Sequence, residues 1–453
     1  MYNPHDIICA ISTPPGESAL AIVRMSGRDA KNIAEKLLPG VELRDHQAIF
    51  GKIHDLSDGL IDEVVMIWYR GPRSYTGEDL VEVICHGGYV VSEQVLSLML
   101  SSGGRLAEKG EFTLRAFLNG RLDLTEAEAV ASVINAKTTR SKSLALNNLE
   151  GRLKTSLEKI SKKLLDLITI LEAEIDFGDD EVTKLDSLQI KEKVDEIETL
   201  LSGIISTYDI GRIAEGRARI AIVGAPNVGK SSLFNAILKT GRAIVTDIPG
   251  TTRDYLTEYV NIGGYPVMLT DTAGIHGSDE EIEQIGIERS KEIIHDSDLC
   301  IFVLDCSRPI NNDDYQIYNL IDKQAIIDVL NKSDLRTGDS ADNSIVFKLD
   351  KLLHTSAISG DGIDGLLELI KTKLIKTDSD ISEGVLLSQR QYDCARKAIE
   401  ALGQAKSIIS GGETEEIYVG MLREALDQIG LLTGKITNDD ILNDIFSRFC
   451  IGK

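Results

Sequence analysis

The sequence has few cysteines and no long hydrophobic run, and each absence excludes a class of protein. Six cysteines are spread over 453 residues with no CxxC pair, which excludes a zinc ribbon or a disulfide-rich secreted framework. No stretch approaches 18 uninterrupted apolar residues, and Asp166 interrupts the apolar run at 164–171. The first residues lack the basic segment and apolar core of a secretory signal peptide. We therefore expect a cytoplasmic protein with no membrane contact.

Positive charge is also scarce. The 49 Lys and Arg residues against 72 Asp and Glu residues give a net charge of −23, which repels phosphate backbones at long range and argues against a non-specific nucleic-acid coat protein. Residues 137–163 are a local exception, with eight Lys or Arg residues against Glu150 and Glu158. This basic segment has two interpretations, a solvated helix face or an RNA-contacting surface.

The spacing of apolar residues and the content of glycine and proline change along the chain, and these changes predict several domains. Short apolar runs and Gly/Pro turns in residues 1–118 predict a small α+β domain. Residues 119–213 lack proline, and leucines and isoleucines at steps of three and four from Leu146 to Leu171 predict one long bundle helix. Residues 214–378 alternate β-type and helical runs, which predicts a doubly wound α/β domain. Residues 379–453 are helical again, so we expect one discontinuous helical domain with the α/β module inserted.

A phosphate-binding motif opens the α/β module. Residues 224–231, Gly-Ala-Pro-Asn-Val-Gly-Lys-Ser, fit GxxxxGK[ST] between a β-type run and a helical run, which is the context that the motif requires. The backbone N–H groups of such a loop surround phosphates, Lys230 neutralises the β and γ oxygens, and the Ser231 hydroxyl ligates Mg²⁺. The motif therefore predicts an Mg²⁺-dependent nucleotide site.

Three further segments follow in the order that a GTPase requires. Thr252 can complete Mg²⁺ coordination and Asp271 can hold the Mg²⁺ shell. Asp334 can accept hydrogen bonds from guanine N1–H and the exocyclic amine, whereas adenine presents a lone pair in place of the first donor. A backbone amide at 356–358 can donate to guanine O6. The predicted GTP ligands are Asn227, Val228, Gly229, Lys230, Ser231, Ser232, Thr246, Thr251, Thr252, Asp271, Thr272, Ala273, Gly274, Asn331, Lys332, Asp334, Ser356, Ala357 and Ile358.

Two features of the module need a separate interpretation. Residues 360–365 fit GxGxxG, but the phosphate site is already assigned, so we interpret them as a loop entering the last helix and not as an NAD site. Ile275 stands where Ras-like switches place a water-orienting glutamine, and an aliphatic side chain cannot orient water. Other candidates for the catalytic group are Arg253, which is either an arginine finger or structural, and the acidic residues Glu280, Glu281 and Glu283.

Several motifs together resemble one protein family. The P-loop and the two segments 250–254 and 271–274 are shared by many GTPases, whereas a final Cys-Ile-Gly-Lys at 450–453 combined with a central GTPase module is far more specific. The whole chain is similar to the tRNA-modification GTPase MnmE (TrmE) family. Further segments that carry the resemblance are 13–16, 75–79 and 281–289.

The resemblance implies an N-terminal folate-binding and dimerisation domain, a discontinuous helical domain and an inserted Ras-like P-loop GTPase domain. It implies a homodimer whose GTPase modules pair in a K⁺-dependent manner and which forms a heterotetramer with the flavoprotein MnmG (GidA). Together they would add a carboxymethylaminomethyl-type group to carbon 5 of the wobble uridine of certain tRNAs, with a one-carbon unit from 5-formyltetrahydrofolate. Whether glycine or ammonia supplies the nitrogen stays open. A regulatory or ribosome-assembly GTPase switch without base chemistry is the alternative.

The resemblance also implies roles for individual residues. Glu283 matches the glutamate that positions the attacking water, and Cys450 is either a nucleophile or a structural residue. The predicted catalytic residues are Glu283, Lys230, Thr252 and Cys450. The K⁺ ligands implied are the side chain of Asn227 and the backbone carbonyls of Thr246, Ile248 and Thr251. The positions implied for 5-formyltetrahydrofolate are Arg24, Glu82, Arg121, which stands where the family has lysine, and Lys453.

Overall fold

The chain folds into two compact units, each discontinuous in sequence. Unit 1 comprises Met1–Ala131, Leu149–Val194 and Lys397–Lys453, and unit 2 comprises Ser132–Asn148 and Asp195–Arg396. The computed structural model describes residues 6–177, 185–244, 256–272, 291–321, 325–335, 352–375, 384–412 and 414–453. The predicted bounds of the three domains stay a prediction.

Unit 1 contains a six-stranded sheet in the order β3-β4-β5-β2-β1-β6. Neighbouring strands are antiparallel, except that β1 and β6 are parallel. Two helices, Ala30–Leu37 and Tyr89–Ser101, pack on the face that carries Cys9, Val23 and Val83. The predicted α+β domain is therefore confirmed. The strands are β1 (Ile7–Ile11), β2 (Ser18–Ser26), β3 (Ala48–His54), β4 (Leu60–Tyr69), β5 (Leu80–Gly87) and β6 (Gly104–Leu106).

Helices account for most of the described chain outside the two sheets. Besides the helices named with the two sheets, they are Glu111–Leu118, Leu124–Asn135, Thr139–Leu149, Arg152–Phe177, Ser187–Ile205, Tyr208–Ala214, Gln389–Gly411, Glu415–Thr433 and Asp439–Ser447. In unit 1, Leu157, Leu164 and Leu171 are fully buried on Arg152–Phe177, which packs against Glu415–Thr433. Among the described helices, none combines the length and the apolar character that crossing a bilayer requires.

The prediction of one helix from Leu146 to Leu171 was wrong. The structure has two helices, which end and begin on either side of Gly151. Gly151 adopts a left-handed backbone with φ of +81°, a conformation that glycine adopts without the steric cost of a Cβ atom. The leucine spacing continues across this break, so periodicity alone could not reveal it.

Unit 2 contains a second six-stranded sheet, in the order β12-β11-β10-β7-β9-β8. The strands are parallel except β8, which forms an antiparallel hairpin with β9. Helices Lys230–Gly241 and Ile363–Leu374 pack on one face and Asn312–Leu320 on the other, which confirms the doubly wound α/β fold. The strands are β7 (Ala218–Val223), β8 (Leu256–Ile262), β9 (Tyr265–Asp271), β10 (Leu299–Asp305), β11 (Ala325–Asn331) and β12 (Leu352–His354).

Candidate functional site

The loop between β7 and the helix Lys230–Gly241 has a backbone that two glycines make possible. Gly224 and Gly229 have φ of +158° and +96°. A Cβ atom at Gly224 would lie 2.4 Å from the carbonyl oxygen of Val303, and one at Gly229 would lie 2.4 Å from Nδ2 of Asn331. The loop is therefore packed tightly against the ends of β10 and β11. The following helix begins at this loop, and its first amide groups have no acceptor within the helix, which suits them to bind phosphate oxygens.

Lys230 is a buried cation beside this loop. Only 6% of the residue is exposed, and its Nζ donates to the carbonyl oxygens of Gly224 at 2.9 Å and Ala225 at 3.0 Å. Burial lowers the pKa of Lys230, while the nearby carboxylate of Asp271 opposes this shift. A desolvated ammonium in this position strengthens attraction to an incoming phosphate.

Ser231 and Asp271 place a hydroxyl and a carboxylate side by side at the phosphate loop. Ser231 Oγ donates to Asp271 Oδ2 at 2.6 Å, and Asp271, the last residue of β9, is fully buried. Thr272 Oγ1 donates to the carbonyl oxygen of Ile222 at 2.8 Å, which ties the end of β9 to β7. Hydroxyl and carboxylate oxygens are hard ligands that Mg²⁺ prefers, so these residues fit the ion.

Asn331, the last residue of β11, connects the phosphate loop to the segment after β12. Its Nδ2 donates to the carbonyl oxygen of Val228 at 3.1 Å. Its Oδ1 accepts from the amide of Ala357 at 3.1 Å and from Thr355 Oγ1 at 3.3 Å. One buried amide group thus fixes the phosphate-binding and base-binding sides of the site relative to each other.

Asp334, the carboxylate predicted to read guanine, accepts a hydrogen bond from the segment after β12. It is exposed, and the buried Ser356 donates from Oγ to its Oδ1 at 2.6 Å. The amides of Ser356 and Ala357 donate in this structure to Asp361 O at 2.9 Å and to Asn331 Oδ1. Ile358, the third candidate for guanine O6, is 82% exposed.

The remaining predicted nucleotide ligands divide into two groups. Asn227 and Ser232 are exposed, and Val228 is buried within the loop. The other calls lie outside the described residues and stay predictions: Thr246, Ile248, Thr251, Thr252, Ala273, Gly274 and Glu283. Asp305, which pairs with Lys332 at 2.6 Å, was missed from the sequence. The signal that could have revealed it is a carboxylate at the C-terminal end of a buried strand, where ligands of parallel sheets bind.

The predicted folate residues converge in unit 1. Arg24 on β2 and Glu82 on β5 are cross-strand partners, and Arg24 donates from Nε and Nη2 to Glu82 Oε1 at 3.0 and 2.7 Å. Tyr69 donates from its hydroxyl to Glu82 Oε2 at 3.2 Å. Both carboxylate oxygens of Glu82 therefore already accept hydrogen bonds from the protein.

Arg121 reaches the same cluster through the ring of Tyr75. The guanidinium carbons of Arg24 and Arg121 lie 5.5 and 5.9 Å from the centre of this ring. The Tyr75 hydroxyl lies 2.8 Å from Thr113 Oγ1, and burial raises the pKa of Tyr75. Two cations thus lie over one aromatic ring, an arrangement that suits an anionic ligand.

The segment 450–453 lies against this cluster. The amide of Phe112 donates to the carbonyl oxygen of Lys453 at 3.1 Å, and Arg24 Nη1 donates to that of Gly452 at 3.3 Å. Gly452 has φ of +91°, and a Cβ atom there would lie 2.7 Å from the carbonyl oxygen of Ile11. Cys450 is exposed. The structure therefore brings the four predicted folate residues into one neighbourhood.

The geometry of unit 2 defines the class of protein. The residues predicted to hold phosphate and to read guanine lie at the carboxyl edge of one parallel sheet, so the chain is a P-loop GTPase and hydrolyses GTP. Residues 124–450 match the family model described as MnmE helical domain, and residues 7–121 match that described as GTP-binding protein TrmE N-terminus. The chain therefore belongs to the tRNA-modification GTPase MnmE (TrmE) family.

Individual relatives resemble the chain over its whole length. The tRNA modification GTPase MnmE of Thermoanaerobacter pseudethanolicus is 41% identical over 99% of each chain. That of Aquifex aeolicus is 42% identical over 98% of this chain and 99% of the relative.

A solved structure of the G domain of the T. maritima FeoB iron transporter is 26% identical over 35% of this chain and 97% of its own, with a TM-score of 0.26.

Proposed function

We propose that this chain is a K⁺-dependent GTPase that modifies tRNA together with a flavoprotein of the MnmG (GidA) type. The pair adds a carboxymethylaminomethyl-type group to carbon 5 of the wobble uridine of certain tRNAs, with a one-carbon unit from 5-formyltetrahydrofolate. The observation that carries the proposal is the similarity, over 99% of the chain, to relatives named tRNA modification GTPase MnmE. In this proposal the chain is cytoplasmic and forms a homodimer, and two flavoprotein subunits complete a heterotetramer.

At the nucleotide site, the chain's own residues bind and orient GTP. Lys230 and the loop amides hold the phosphates, while Asp334 and the 356–358 loop select guanine. Ser231 and Thr252 would ligate Mg²⁺, which supplies charge neutralisation at the β and γ oxygens. Glu283 orients the attacking water, a role that Ile275 cannot perform.

A potassium ion would complete this site. Its ligands would be the side chain of Asn227 and the carbonyls of Thr246, Ile248 and Thr251. Asn227 is exposed at the rim of the phosphate loop, which is compatible with this role. Bound K⁺ supplies the electrostatic stabilisation that an arginine finger gives elsewhere.

In unit 1, the Arg24–Glu82 pair would recognise the folate. The Glu82 carboxylate accepts from Arg24 and Tyr69, and a carboxylate has about four lone-pair positions, so a pterin donor either joins these bonds or displaces Arg24. Arg121 and Lys453 then engage the anionic tail. Since the chain carries a net charge of −23, much of the affinity for tRNA would come from the flavoprotein.

Mass spectrometry of tRNA nucleosides from cells that lack the protein tests this function. We expect loss of the modified wobble uridine and its return with the wild-type gene, but not with a Glu283→Ala gene. An unchanged nucleoside profile would remove the proposal and favour a GTPase switch without base chemistry.

Replacement of Asp334 by asparagine should relax the preference for guanine. The amide places an N–H group where guanine also has one, so the paired hydrogen bonds are lost and GTP affinity falls by about 10²-fold. Competition of GTP, ATP and xanthosine triphosphate for the site measures the change. Asp361→Asn is the matched control, since the Asp361 side chain is exposed in the neighbouring loop and, among the described residues, accepts a hydrogen bond from Ser359 Oγ alone. Unchanged selectivity would displace Asp334 from the base pocket.

Glu82→Gln should lower the affinity for 5-formyltetrahydrofolate by about tenfold, because a charge-assisted hydrogen bond contributes roughly 1.5–3 kcal/mol. Isothermal titration calorimetry with the full chain measures this affinity. Glu63→Gln is the control, since Glu63 lies exposed on β4 and pairs with Lys52 at 3.3 Å. If both variants bound the folate as wild type does, the Arg24–Glu82 cluster would not be its site.

A further inference from the structure

Asp305 is a buried carboxylate at the C-terminal end of β10. Its side chain is 5% exposed, and its Oδ2 accepts from Lys332 Nζ at 2.6 Å. Its Oδ1 accepts from the amide of Ser307 at 2.8 Å and from Ser307 Oγ at 2.6 Å. Burial opposes ionisation, but these bonds outweigh it and hold the pKa of Asp305 below its ordinary value. Asp305 is thus a fixed negative charge.

Lys332 joins this charge to the phosphate loop. Besides Asp305, its Nζ donates to the carbonyl oxygen of Asn227 at 2.7 Å. The turn after Asp305 is also hydrogen-bonded to the residue before Lys332, since the amide of Cys306 donates to the carbonyl oxygen of Asn331 at 3.0 Å. With the bond from Asn331 to Val228, two successive carbonyls of the phosphate loop are held by the side chains of the last residue of β11 and the residue that follows it.

The tether acts on a residue with a left-handed backbone. Asn227 adopts φ of +65°, a conformation that few residues other than glycine adopt, although asparagine tolerates it better than most. A lysine side chain is flexible and strongly hydrated, and it gains little from a single neutral carbonyl at the protein surface. Without the carboxylate, Lys332, whose side chain is 27% exposed, would lose its preference for this position and Asn227 would lose its tether.

We propose that Asp305 is a positioning residue of the GTPase. It holds Lys332 on the carbonyl of Asn227 and so fixes the conformation of the phosphate loop, which sets the lifetime of the bound nucleotide. The same contact orients the Asn227 side chain, and its expected effect on the potassium requirement rests on the proposed function above.

Asp305→Asn in the full chain tests the proposal. We expect a fluorescent GDP analogue to dissociate about tenfold faster, since a charge-assisted hydrogen bond is lost. We also expect half-maximal GTP hydrolysis to require several-fold more K⁺. Ser307→Ala, which loosens Asp305 without removing charge, should change both quantities less and in the same direction. Asp296→Asn removes an exposed carboxylate that pairs with Arg219 and His295 at the surface and should change neither.

A double-mutant cycle separates positioning from a general loss of structure. If Asp305 acts through Lys332, Asp305→Asn should change the dissociation rate little in a Lys332→Met chain. Additive effects, or a folded Asp305→Asn chain with wild-type dissociation, would overturn the proposal. Should Asp305→Asn fail to fold, the cycle of Ser307→Ala with Lys332→Met decides in the same way. If the wild type hydrolyses GTP equally in K⁺ and Na⁺, the cation-dependent function fails, while the dissociation cycle still tests Asp305.

Discussion

GTP hydrolysis should fall by about 10³-fold when Na⁺ replaces K⁺ at constant ionic strength, which is the lower end of the effect of an arginine finger. The reason is chemical. In the proposed mechanism Glu283 replaces the water-orienting glutamine that Ile275 cannot replace, and K⁺ supplies the charge stabilisation that an arginine finger gives elsewhere. Steady-state rates at saturating GTP in the two salts measure the effect.

The Asn227→Ala variant tests the proposed potassium site by mutation. It removes the one side-chain ligand proposed for K⁺, so its rate should be low in both salts. Equal wild-type rates in K⁺ and Na⁺ would exclude a cation-dependent mechanism.

Glu283→Ala should lose GTP hydrolysis by at least about 10²-fold, the usual contribution of a residue that handles the attacking water. GTP affinity should remain unchanged, because the phosphates and the base are bound by other residues. Single-turnover hydrolysis and equilibrium binding of a GTP analogue separate the two effects.

Two neighbours serve as matched controls for this variant. Glu280 and Glu281 lie in the same acidic segment, so Glu280→Ala and Glu281→Ala remove the same charge. We expect both to hydrolyse GTP at near the wild-type rate. If either of them lost hydrolysis and Glu283→Ala did not, the role of Glu283 would belong to that neighbour.

The nucleotide site could be predicted from the sequence because each of its motifs is a short contiguous segment. A strand, a glycine-rich loop and a helix follow each other in residues 218–241, and Asp271 and Asn331 each end a strand of the sheet. Parallel strands place their carboxyl ends at one edge, so three separate motifs predict one site. That β7, β9, β10 and β11 are strands could be predicted from their short apolar runs.

The side-chain clusters of the two sites depend on contacts between residues that are far apart in the sequence. Glu82 lies 58 residues from Arg24 and meets it only through the register of β2 and β5, which no local pattern specifies. Asp305 could be recognised only through its pairing with Lys332, which directly follows the neighbouring strand β11. At Gly151 the local pattern was misleading, because the apolar spacing continues across a residue whose left-handed backbone separates two helices.

Pairing of two GTPase modules around the nucleotide, with a potassium ion in place of the missing glutamine and arginine, is measured most directly by small-angle scattering. The full chain is compared with GDP and aluminium fluoride in KCl and in NaCl. We predict a more compact particle in KCl, as the modules of a homodimer approach each other, and an open particle in NaCl. Identical scattering curves in the two salts, with the nucleotide bound in both, would contradict the mechanism.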